Sequence, residues 1–361
     1  MTDYPPMPLL PISSLTTIDA QDRVNPALAS FGTTWTQHIV LSLLLAERRY
    51  AKTSSSGIGS EPDLNYSHVS EYAPFFEIDA HWDHATNSLT KSIQTNHGKL
   101  NKRVFNTHLR WDMLPKNSSS SGTNNLQTKR PDCGKFIYIT RNLLDVCSSF
   151  YHHLSNQSEG RYEHDFYTFA KDWMDGNVAF GSALHHLLSF AEGFGDNHYA
   201  CGDKNATTAS KKCSNGAEES PLLLLSYERM KNNLRTEVLR IMEFLQLSNI
   251  PMDALENELL PSFEFQCMKK DLDRFQPRSV TWLNGFTFLR RGESGDGKRM
   301  MAEAVLEEDG KTAKLLSEYD EWVEREGYRK KIKGLLLNGG KSGDLAMGQV
   351  REIFINVVNH H

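Results

Sequence analysis

In the stretch KFIYITRNLLDVCSSFYHH (135–153) an apolar run ends at Arg141, and a helical pattern starts about two residues later, carrying Ser149 near its second turn. An arginine at the carboxyl end of a parallel strand sits where open α/β sheets bind their ligands. Its planar fork grips a phosphate with two hydrogen bonds. A surface pair with Asp145 is the competing use of the same side chain. Phe31-Gly32-Thr33-Thr34-Trp35 stands at the mouth of a second helical pattern. There a glycine permits close backbone approach, and free N–H groups with two hydroxyls suit a phosphate. Gly-Thr-Thr before a helix is also an ordinary cap.

These residues need a sheet and helices to bring them together. Short apolar runs alternate with longer amphipathic ones along the chain, the signature of a mostly parallel sheet flanked by helices. RVFNT (103–107), KFIYIT (135–140) and LLLLSY (222–227) read as strands. Helices are predicted over 33–49, over 165–192 with a break at Gly176 or Gly181, and over 234–246 and 301–326. Residues 116–134 and 201–220, rich in Ser, Asn, Gly and Lys, read as loop insertions. The fold class is α/β: a single P-loop-like domain over 29–330, with a poorly patterned segment 1–28 before it and an extension 331–361 after it.

A net charge of −5 gives no reason for non-specific attraction to nucleic acid or to an acidic membrane surface, so any anion site has to be local. No apolar window reaches the eighteen or so residues of a membrane span, and the first residues lack the pattern of a secretion signal. A cytoplasmic location is expected. The five cysteines are widely spaced without a CxxC pair, which reads as reduced thiols rather than a metal or redox site.

With RVFNTHLRWDMLP (103–115), LLLLSYERMKNNLRTEVLRIMEFLQL (222–247) and FLRRGESGDGK (288–298), the segments above form five ordered motifs. In that order they resemble the cytosolic, PAPS-dependent sulfotransferases from about residue 29 to about 325. The resemblance implies that Arg141 and Ser149 hold the 3′-phosphate of PAPS, joined by Arg290, Arg291 and Gly292, with Leu143 where the family has proline. It places Gly32, Thr33 and Thr34 at the phosphosulfate end and Trp35, Tyr227 and Phe265 around adenine, with Phe263 two residues from the last. Thr107-His108-Leu109 is similar to the family's catalytic Thr-His-Leu, which makes His108 the general base. The reaction implied is sulfuryl transfer from PAPS to a hydroxyl or amine of a small organic acceptor, without a metal.

Two departures fall at the reacting end. Ser30 stands where the family has the loop lysine, and Asn106 where it has a second lysine before the histidine. Lost donors of this kind cost on the order of 10²–10³-fold each, so a PAP- or PAPS-binding module with little turnover is the alternative reading. The match turns from poor to good abruptly at Gly32, and no apolar strand is visible in IDAQDRVNPALAS. This fits a divergent member, or a chain whose first thirty residues differ from the native ones. Phe75, Phe76, His81 and Trp82 are expected to line the acceptor pocket, with Phe194 and His198 added from a later loop. Lys298 and Glu307 resemble the ends of the family's dimer motif, but Glu303 lies at its centre, and a monomer or weak homodimer is expected.

Overall fold

Lys135–Thr140 forms strand β5, whose side chains alternate between two hydrophobic cores. Ile137 and Ile139 enter one core and Phe136 and Tyr138 the other, all at most 2% exposed. Successive side chains of a strand point to opposite faces, so a run that is apolar throughout is covered on both. Leu222–Ser226 (β6) pairs with β5 in parallel, from Phe136 opposite Leu222 to Thr140 opposite Ser226.

The computed structural model describes residues 23–25, 32–53, 66–77, 81–114 apart from 84 and 87, 135–195, 222–308 and 311–325. Ser30, His198, the Phe194 side chain, both predicted loop insertions, the extension from 331 and most of segment 1–28 lie outside the described residues. Arg23–Asn25 (β1) and Arg103–Val104 (β4) complete a parallel sheet of order β4-β1-β5-β6. A small antiparallel pair, Trp82–Asp83 (β2) with Ser88–Leu89 (β3), lies apart from it.

β1 corrects the sequence reading, which found no strand before Gly32. Val24 is in register with Val104 on one side and Lys135 on the other. Three residues with one apolar member make no detectable run; backbone groups of two neighbouring strands hold them. The strand expected over 103–107 is shorter, and Asn106 instead bridges to the Phe75 segment: Asn106 N–H donates to Pro74 O at 2.9 Å and Phe76 N–H to Asn106 O at 2.7 Å.

Helix α1 (Thr33–Thr53) packs Ile39, Val40, Leu43 and Leu44 on the first core with α7 (Leu234–Leu245), while α2 (Lys91–Leu100) adds Leu100. The second core lies under α3 (Leu143–Ser155), α4 (Phe166–Asp175) and α5 (Ala183–Gly195). Asn142 caps α3 by accepting from Leu144 N and Asp145 N. Gly176, at φ 76°, ends α4 where the break was expected.

After β6 come α6 (Tyr227–Asn232), the short helices α8 (Met252–Ala254) and α9 (Leu260–Ser262), and α10 (Phe265–Lys270). The single helix expected over 301–326 is instead four elements. α11 (Asp296–Glu303) and α12 (Leu315–Arg325) flank a hairpin of Val305–Glu308 (β7) with Lys311–Lys314 (β8). The Glu- and Lys-rich periodicity masked Asp309-Gly310, a strong hairpin-turn pair.

Candidate active site

β5 and β6 end side by side, and the chain delivers Arg141 after one and Tyr227 after the other. The Arg141 guanidinium lies 4.4 Å from the centre of the Tyr227 ring, and Trp35 meets that ring edge-on at 5.6 Å. Gly32, at φ 124°, fits beneath them. A Cβ there would come within 2.6 Å of Ile139 Cδ1 and 3.2 Å of Tyr227 Cδ2. Close approach of backbone to the strand end therefore demands the glycine, beyond any capping role.

A second wall comes from α10. The Phe265 ring covers Gly292, where a Cβ would lie 2.7 Å from the ring edge. Lys269 sits 5.8 Å from the same ring and donates to Arg290 O at 3.1 Å. Arg141 Nη2 donates to Glu293 O at 3.2 Å, which ties this turn to the end of β5. Asp145 tightens the same junction: it accepts from Gly295 N and from Gly297 N, at 2.9 Å and 2.8 Å. Its contact with Arg141 is looser, 3.9 Å, so the pair weighed in the sequence is secondary to the turn that Asp145 holds. Arg290, Arg291 and Arg299 all face Asp296, at 2.5, 3.5 and 2.6 Å. Against burial, which alone would raise it, hydrogen bonds from Arg290 and Arg299 bring the Asp296 carboxyl down to about 2.

At the other end of the site His108 follows β4. Its ring packs against Phe75, 4.7 Å away with planes 6° apart, and against Phe180, 4.5 Å away at 22°, and the two phenyl centres are 6.4 Å apart. Phe180 has φ 67°, a left-handed conformation that a bulky residue rarely adopts. Burial, with smaller contributions from His186 and His153, pushes the His108 pKa down to about 3. Glu77 Oε1 accepts from Thr107 Oγ1 and from His108 N, each at 2.6 Å. A cavity of about 50 Å³ connects the two ends, lined by His108, Arg141, Tyr138, Phe150, Phe180 and His186 among others. His186 Nδ1 is 3.0 Å from Tyr138 Oη.

Residues 30–201 and 210–320 match the Sulfotransferase domain family. The chain belongs to the sulfotransferase family. Rat sulfotransferase 1E1 (Rattus norvegicus) is 26% identical over 266 residues, which is 72% of this chain and 78% of that protein. Dog sulfotransferase 1B1 (Canis lupus familiaris) is 31% identical over 225 residues, and the match spans 62% of its length. Firefly luciferin sulfotransferase (Photinus pyralis) is 24% identical over 327 residues, 84% of this chain and 71% of that one. Among solved structures, a mouse sulfotransferase complexed with PAP superposes with a TM-score of 0.51 at 18% identity, covering 94% of this chain and 92% of the other. A retinol dehydratase complexed with androsterone and PAP gives 0.50 at 18%, covering 86% and 81%.

In this sulfotransferase the predicted residues Gly32, Trp35, Arg141, Tyr227, Phe265, Arg290 and Gly292 are linked by the contacts just described. Phe265 lies at the site, whereas Phe263 is fully buried in the first core. Ser149 is half-buried on α3 and Arg291 more exposed on its turn. The four predicted acceptor-pocket residues divide. Phe75 reaches the site through its stack on His108. Phe76 and Trp82 pack instead with Phe105, Leu89 and Ile93 in a small separate core, and His81 binds the Phe75 carbonyl at 2.9 Å. Tyr138, Phe150, Trp173, Phe180 and His186 line the cavity in their place. The sequence reading missed all five, although Tyr138 and Phe150 lie inside the stretch that it singled out.

Proposed function

We propose that this chain transfers a sulfuryl group from PAPS to a hydroxyl or amine of a small organic acceptor, with His108 as general base. The observation that carries this reading is a cavity whose lining includes both Arg141 and His108. Thr33 Oγ1, Arg141 Nε and His108 Nδ1 are buried without a hydrogen-bond partner among the described residues. Such groups cost about 1–3 kcal/mol each when left unpaired, and a bound nucleotide and acceptor would satisfy them.

Arg141, Ser149, Arg290, Arg291 and the Gly292 N–H would hold the 3′-phosphate. Gly32, Thr33 and Thr34, at the N-terminus of the 21-residue α1, would face the sulfated end. Trp35, Tyr227 and Phe265 offer ring faces to adenine. PAPS, when bound, supplies the activated sulfuryl group. His108 takes the proton of the acceptor as its oxygen or nitrogen attacks sulfur, and the dry aromatic surround excludes water. A cavity of about 50 Å³ holds only a few water molecules, and on this reading Phe180, 41% exposed at its edge, is the side chain that yields to an organic acceptor. That movement also relieves the burial that holds His108 far below a useful basicity.

Incubation with labelled PAPS and a panel of phenols, aliphatic alcohols and amines should give a labelled product. Tight PAP binding with no product across the panel would favour the alternative binding module. Asn106 supports that alternative, because a buried neutral amide stands where the family has a lysine. Gly292→Ala tests the adenine wall. The new Cβ overlaps the Phe265 ring, and overpacking of this kind costs about 1–3 kcal/mol. The expected result is a loss of PAP affinity on the order of tenfold or more by calorimetry. A monomer or weak homodimer remains the expectation, since Glu303 on α11 is exposed and paired with Arg299 at 2.9 Å. Among the described residues no helix is long and apolar enough to cross a membrane.

A further inference from the structure

The sequence reading assigns Glu77 no role, although it lies within the aromatic segment 73–84, and it does not line the cavity. Its Oε1 takes both 2.6 Å hydrogen bonds from the histidine segment, one from Thr107 Oγ1 and one from the His108 peptide. Thr107 Oγ1 in turn accepts from Leu109 N at 3.1 Å. One carboxylate oxygen therefore fixes three consecutive residues with His108 at their centre. Phe75, two residues before Glu77, stacks on the same imidazole, and the intervening backbone bridges to Asn106. A single short segment thus holds the His108 peptide by its N–H and its ring by one face. Oε2 is buried without a partner, and an uncompensated buried carboxylate is a costly way to hold backbone donors that a neutral amide would also satisfy.

We propose that Glu77, in its ionised form, is a positioning residue that sets the His108 imidazole at its working height in the site. The proposal rests on His108 being the base. Burial raises the Glu77 carboxyl to about 7, opposed by the hydrogen bonds from Thr107 and His108. Its protonation therefore falls in the neutral range. The other titratable groups around this segment are His81, His108, His186, His153 and the Arg110–Asp112 pair. Burial holds His108 at about 3 and His186 and His153 at about 4, so these three stay neutral from pH 5.5 upward. His81, on the Phe75 carbonyl, is the rival that a variant has to exclude.

The test is kcat/KM against pH with an alcohol acceptor that does not ionise, for the full chain and for Glu77→Gln, Glu77→Asp and His81→Asn. The parent should lose activity through one protonation near pH 7. His81→Asn should keep that limb. Glu77→Gln should lack it and should turn over about 10²-fold more slowly at pH 8, the scale of a displaced catalytic group, with PAP affinity unchanged. A parent profile flat between pH 6 and 8, or a limb shared by Glu77→Gln, overturns the proposal. If Glu77→Gln fails to fold, the parent profile and a limb shifted in Glu77→Asp decide the matter. Undiminished transfer by His108→Ala overturns the reading of the base itself, whatever Glu77 does.

Discussion

His108→Ala should bind PAP as tightly as the parent chain and transfer sulfuryl groups about 10²–10⁴-fold more slowly, the usual loss when a general base is removed. The two halves of this result separate because Arg141, Tyr227 and Trp35 meet one another, and Phe265 meets Gly292, without involving His108. The imidazole instead belongs to the stack of Phe75 and Phe180. Calorimetry with PAP and single-turnover transfer from labelled PAPS give the two readings. His108→Gln should repeat the loss while keeping a side chain against the rings. Weaker PAP binding with unchanged turnover would mean that the histidine supports the nucleotide rather than the acceptor.

Acidification should destabilise the protein well before its carboxylates other than Glu77 titrate. His38, His97 and His186 are each 4% exposed, and burial lowers all three to about 4. Unfolded, each regains an ordinary value near 6.5, so below that pH the unfolded chain binds more protons than the folded one. Stability is then fully present above about pH 6.5 and falls as pH drops toward 4. One unit below 6.5 each histidine removes about 1.4 kcal/mol, and the three together about 4 kcal/mol. His108 and His153 act in the same direction. Against a total stability of about 5–15 kcal/mol for a typical domain, this should appear as a large fall in Tm between pH 7.5 and 5.5, measured by circular dichroism. Glu77 has the opposite sign, since its raised carboxyl favours the folded state at the acid end, but it is a single group. A Tm independent of pH over that range would show that these histidines are hydrated.

The β5–Arg141–α3 unit was legible in the sequence because each part has a local cause: an apolar run, an arginine at its end, and Asn142 as a cap. The break at Gly176 was legible for the same reason. Features that depend on distant partners were not. β1 exists through two neighbours remote in sequence. Glu77 acquires its role from a peptide about thirty residues away. The aromatic run at 73–84 shows that rings will be buried but not on which face, and only packing sends Phe75 to the histidine and Phe76 and Trp82 elsewhere. Phe180 was hidden because a left-handed aromatic is what local propensity argues against. Phe263 and Phe265 were separable only once Gly292 was seen beneath one of them.

The two rings lying against His108 also bear on the fate of the donor when no acceptor is present. Water is the most abundant nucleophile a sulfotransferase meets, and a base open to solvent would turn activated sulfate into inorganic sulfate. Phe75 and Phe180 both pack against the imidazole and its Nδ1 is buried, so on the proposed reading the ring opens to the acceptor side once an organic molecule has moved Phe180. Under the proposed function, the burial that makes His108 a poor base at rest would also limit futile hydrolysis of the donor.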